Sequence, residues 1–105
     1  MIHVEYDDSK VLEDDIRNLS KAVRDIVSDT TEIKDVFVYA NSAKIKIQVA
    51  PVEIFIRMTA KKIKDVDTLI TEIKEKLAKW KVSNNFEYPI NLTLIPMNWK
   101  VEIGI

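Results

Sequence analysis

The sequence predicts a small α+β fold, β-α-β-β-α-β with a further strand at the C-terminus, and three patterns carry that prediction. Two stretches repeat apolar residues at helical spacing, and several shorter ones alternate apolar and polar residues with period two. The third pattern is in Ala43 to Thr59, which holds two alternating runs out of phase. Ile45, Ile47 and Val49 take odd positions, whereas Val52, Ile54, Ile56 and Met58 take even ones. A one-residue shift would turn an uninterrupted strand inside out, and Pro51 lacks an amide donor. The reading is two strand segments, 44–49 and 52–58, broken at Ala50-Pro51. The second, more apolar segment is expected to be the central strand.

From the N-terminus, residues 1–6 alternate Ile2, Val4 and Tyr6 against His3 and Glu5, a half-buried strand. Asp7-Asp8-Ser9 offers N-cap oxygens, and a helix is expected from Ser9 to Thr30-Thr31. Its stripe is Leu12, Ile16, Leu19, Val23 and Ile26, with Glu13 and Arg17 as an outward i,i+4 pair. Val36 to Ala40 reads as the next strand, and Asn41-Ser42 as a turn. A second helix is expected to start at Asp65 or Asp67 and to close at Ser83-Asn84-Asn85. Val66, Ile70, Ile73, Leu77 and Trp80 form its stripe, with Glu72–Lys76 and Glu75–Lys79 outward. Ile90 to Ile95, flanked by Pro89 and Pro96, is a strand. Trp99, Val101, Ile103 and Ile105 alternate over the apolar terminal segment 99–105, which is expected to pair with a sheet. Right-handed crossovers then leave both helices on one face, with His3, Glu5, Glu53, Phe55 and Arg57 on the other.

Composition narrows the function. The 105 residues suit a single domain, 1–105, and contain no cysteine, one histidine and one glycine. These counts exclude disulfides, thiolate chemistry, multi-histidine metal sites within one chain and glycine-rich phosphate loops. A net charge of −1 removes the electrostatic case for nucleic acid, and Phe37, Tyr39 and Phe55 read as packing. No opening stretch resembles a signal peptide and no run is long enough to span a membrane, so a cytoplasmic location is expected, with no membrane partner. Neither a cofactor nor a metal is expected. Asp7-Asp8 and Asp14-Asp15 suit helix N-termini better than a cation. His3 beside Glu5 reads as a surface or interface histidine, and Glu53, Phe55 and Arg57 as an intra-sheet charge pair around an aromatic.

The stretches VFVYANSAKIKIQ, PVEIFIRMTAKKI and INLTLIPMNW, in this order around the helices, resemble the tautomerase superfamily, the fold of 4-oxalocrotonate tautomerase and macrophage migration inhibitory factor. The resemblance is architectural and spans nearly the whole chain. It implies a homotrimer in which neighbours' C-terminal strands, here 99–105, seal the sheet edges, and a pocket for a small carboxylate ligand. The family's catalytic group is an N-terminal proline, and this chain departs from it: Ile2 follows Met1. Initiator methionine is not expected to be trimmed before isoleucine, so the candidate amine is that of Met1, and keto–enol tautomerase activity of the proline-based kind is not expected. Ile2, Lys34, Thr59, Lys61 and Asn98 are the pocket positions the resemblance suggests. The alternative is a ferredoxin-like domain that binds a small ligand or a protein partner.

Overall fold

The computed structural model describes residues 1–105. Its elements are β1 (Ile2–Tyr6), α1 (Glu13–Thr31), β2 (Val38–Asn41), β3 (Val52–Thr59), a short 3-10 turn (Ala60–Lys62), α2 (Val66–Ser83) and β4 (Ile90–Met97). The sheet runs in the order β2-β1-β3-β4. Strands β1 and β2 are parallel, β3 and β4 are parallel, and the central pair β1 and β3 is antiparallel. Each helix thus links two adjacent parallel strands. A ferredoxin-like sheet would split each parallel pair with a strand from the other half, so that alternative is not favoured.

The register explains the single core. Ile2 lies opposite Ile56, Val4 opposite Ile54 and Tyr6 opposite Val52, so the alternating apolar residues of both central strands share one face. That face is covered by Ile16, Leu19, Val23 and Val27 of α1 and by Ile73 and Leu77 of α2, all buried. Burial of these branched side chains contributes about 1.5–3 kcal/mol each. β4 adds Ile90, Leu92 and Leu94, partly buried against the same core, and Trp80, Phe86 and Tyr88 close one end through ring contacts of 5.6 and 5.4 Å. No helix is long and apolar enough to cross a membrane.

Several expectations need correction. Residues 44–49 form no strand within this chain. Ile45 and Ile47 are 83% and 96% exposed, and Val49 is also exposed. Period-two alternation signals a strand with one dry face, but here no strand of the same chain lies beside it. The terminal segment 99–105 is likewise without regular structure and exposed. Helix α1 starts at Glu13 rather than Ser9. The Asp7 carboxylate instead accepts from Ser9 Oγ at 2.6 Å and Ser9 N at 3.0 Å, and its carbonyl takes the amides of Lys10 and Val11. The resulting turn buries Val11 and leaves Leu12, in extended conformation, exposed as the N-cap. Val27 extends the stripe as a further buried residue, and Ile26 packs partly buried against the same core.

Helix α2 begins as expected: the Asp65 carboxylate caps Thr68 N at 3.2 Å. Its outward pairs do not close. Lys76 reaches across to Thr30 Oγ1 of α1 at 2.9 Å, and neither Glu72–Lys76 nor Glu75–Lys79 forms an ion pair; Glu13–Arg17 does, at 3.7 Å. Pro96 lies inside β4 rather than beyond it. β4 is an edge strand paired only with β3, where a missing amide is tolerated.

Candidate functional site

The antiparallel register of β1 and β3 carries on beyond the paired residues to Met1 and Arg57. The Arg57 amide donates to the Met1 carbonyl at 2.8 Å, and the Met1 amine donates to the Arg57 carbonyl at 2.7 Å. An amine that begins a strand is held in this way as the last rung of a ladder. It is partly withdrawn from water, and its pKa is lowered from the ordinary α-amine value, first by that burial and then by the Arg57 charge. A lowered pKa leaves more free base at neutral pH, which is what a proton-accepting amine needs.

Arg57 is itself fixed on the uncovered sheet face. Its guanidinium lies 3.0 Å from His3 Nδ1 and 5.8 Å from the centroid of the Phe55 ring, while His3 stacks on Tyr39 at 5.6 Å. The face expected from alternation is therefore the one observed, and the partners of Arg57 are His3 and Phe55 rather than Glu53. Glu53 instead lies directly opposite Glu5 and accepts from Asn91 Nδ2 at 3.5 Å. Two carboxylates in direct register repel. The uncovered face thus has a cationic end at Met1 and Arg57 and an anionic end at Glu5 and Glu53.

At the Met1 end β3 and β4 finish side by side, with Thr59 opposite Met97. Beyond them Thr59, Lys61, Asn98, Trp99, Lys100 and Val101 line an open groove of about 560 Å³. Three of the positions singled out from sequence, Thr59, Lys61 and Asn98, are brought together there. Ile2 is not among them: its side chain is fully buried in the core. Lys34 is exposed in the connection between α1 and β2, at the same end of the sheet, because the Phe37 carbonyl accepts from Ile2 N at 2.8 Å. Sequence reading missed the Met1–Arg57 pairing and the participation of Lys100 and Val101. The first was implicit in the register of the two alternating strands; the second had no signal beyond proximity to Asn98. No cluster of three or more histidine, cysteine or carboxylate side chains is placed to hold a metal.

No protein-family model matches the sequence, and no curated protein matches it. Solved structures do. Malonate semialdehyde decarboxylase superposes with a TM-score of 0.72 at 10% identity, covering 100% of this chain and 92% of that one. A fused 4-OT wild type, an asymmetric trimer, gives 0.67 at 10% identity over 95% and 90% of the two chains. The fold is that of the tautomerase superfamily. RhCC from Rhodococcus jostii RHA1 gives 0.58 at 20% identity over 96% and 81%. At such identities the likeness concerns the fold. The malonate semialdehyde decarboxylase structures include one in which a proline at position 1 is replaced by alanine; position 1 here is methionine.

Proposed function

We propose that the chain acts as a tautomerase-like homotrimer that binds a small carbonyl-bearing carboxylate at the Met1 end of its sheet. Any proton transfer there runs on the primary amine of Met1 rather than on a proline. The observation that carries this reading is the Met1 amine itself, hydrogen-bonded at 2.7 Å to the Arg57 carbonyl and shifted toward the free base. It lies at the sheet end where Thr59, Lys61, Asn98 and Trp99 form a groove. In this account Lys61 attracts the carboxylate. The amine takes a proton from the carbon next to the carbonyl and returns one to the other end of the enol system.

Trimer formation is supported by the exposed apolar segment 99–105, which has nothing to cover it in one chain, and by the trimers formed by the fused 4-OT structures of the same fold. The cysteine-free composition suits a cytoplasmic location.

The test is ketonisation of a phenylpyruvate-type enol, followed by ultraviolet absorbance, on protein whose intact mass confirms a free Met1 amine. Slow turnover is expected, with an acidic limb below the ordinary α-amine pKa of about 8, and selective carbamylation of the amine should abolish it. Turnover unchanged by carbamylation would remove Met1 from the mechanism. Absence of both turnover and binding would overturn the pocket.

A further inference from the structure

The uncovered sheet face is built in three rungs along β1 and β3. The antiparallel register sets Met1 beside Arg57, His3 opposite Phe55 and Glu5 opposite Glu53. Successive rungs on one face are two residues apart, about 7 Å, so the cationic rung and the acidic rung stand about 13 Å from each other. Fixed charges at that distance are largely screened, since the Debye length is about 8 Å in physiological salt. An arginine side chain, however, is long and flexible enough to lean across a rung towards a carboxylate. Arg57 does not do so: none of the chain's three ion pairs includes it.

The middle rung keeps it in place. The Arg57 guanidinium lies 3.0 Å from His3 Nδ1. A guanidinium has donors only, so Nδ1 is the acceptor and the neutral ring carries its proton on Nε2. The ring plane is set in turn by Tyr39 of β2, stacked at 5.6 Å and 24°. Phe55 supplies a second hold, its ring centroid 5.8 Å from the guanidinium carbon. The other charged or titratable groups facing His3 are the Met1 amine and Glu5 from β1, Glu53 from β3 and the Tyr39 phenol from β2. β4 sets only uncharged residues, Asn91, Thr93 and Ile95, beside Glu53, Phe55 and Arg57, and both helices cover the opposite face.

Without an acceptor at position 3, the nearest anions on this face are Glu5 and Glu53, which draw the guanidinium away from Met1. We propose that His3 is a positioning residue, whose Nδ1 holds the Arg57 cation beside the Met1 amine and out of reach of the Glu5–Glu53 rung. The inference rests on the role given above to that amine. Partial burial of the amine and then the Arg57 charge favour its free base, and only the second depends on position 3.

The readout is the Met1 amine itself. Trace labelling with acetic anhydride across a pH series, scored on the N-terminal residue by fragment mass spectrometry, reports where the amine becomes free base. His3→Phe keeps a ring for Tyr39 and suits a strand but has no acceptor; His3→Val repeats the loss without a ring. Both are expected to move the labelling inflection to higher pH with the circular dichroism spectrum unchanged. His3→Asn, whose side-chain oxygen can accept in place of Nδ1, should restore the parent inflection. Arg57→Met should move it in the same direction, and adding His3→Phe to Arg57→Met should move it no further. An inflection that stays in place in both His3→Phe and His3→Val, or that moves equally with and without Arg57, would overturn the proposal. Parent protein that shows this labelling pattern but no ketonisation would lose the proposed activity and keep the positioning. Turnover with an inflection indifferent to position 3 would do the reverse.

Discussion

Ile54 and Ile47 are the same residue on neighbouring alternating runs, and their fates differ. Ile54 is fully buried at the centre of β3, opposite Val4 on one side and Leu92 on the other, whereas Ile47 is 96% exposed. Ile54→Ala removes three carbons from a packed site and leaves a cavity, a change worth about 2–5 kcal/mol. A chain of 105 residues unfolds with an entropy of about 0.2 kcal/mol per kelvin. The expected fall in Tm is therefore roughly 10–20 °C. Ile47→Ala, measured on protein diluted until light scattering reports a monomer, should move Tm by no more than about 1–2 °C, as for an exposed site. The assay is thermal unfolding by circular dichroism, supported by urea midpoints. A fall of under about 5 °C for Ile54→Ala, or equal losses for both variants in the monomer, would refute the assignment of 52–59 rather than 44–49 to the core strand.

Two further outcomes follow from local geometry. Glu32 closes α1 in the left-handed region at φ 61°, its amide donating to the Ser28 carbonyl at 2.8 Å. Glu32→Gly should therefore raise stability by about 0.5–1 kcal/mol, and a lower Tm would contradict the cap. The Asp7 carboxyl is held below the ordinary carboxylate range, chiefly by the Ser9 hydroxyl and then by the Ser9 amide. Its folded pKa is below its unfolded one, so its stabilisation is present above the unfolded value and is lost as pH falls through the folded value. Asp7→Asn should be less stable than the parent near neutral pH, and the difference in urea midpoint should close as pH falls through the folded value; a gap of constant size would show that the ionised form plays no part.

Most of the fold was legible because its signals are local. Ile2, Val4 and the even residues of 52–58 each report one dry face by period two, and Ile16, Leu19, Val23, Ile73 and Leu77 report theirs by helical spacing. What failed was the step from a dry face to the surface that dries it. Alternation through Ile45, Ile47 and Val49 is the same signal as in β3, and nothing in it says whether the covering strand belongs to the same chain. The start of α1 was misread because Asp7-Asp8-Ser9 has capping chemistry, yet Val11 buries itself ahead of the helix and moves its first turn to Glu13. At the candidate site, Thr59, Lys61 and Asn98 converge as strand ends do, but the hold of Arg57 on the Met1 amine depends on a register between strands some fifty residues apart. No spacing within one segment encodes it.

The account stands most directly on assembly. One chain leaves residues 43–49 and 99–105 as two uncovered apolar segments, and β2 and β4 as two free sheet edges. The measurement is molar mass in solution by size-exclusion chromatography with light scattering. A mass near three times 12.2 kDa is predicted. A monomer at every concentration would contradict the account and leave both segments without a function.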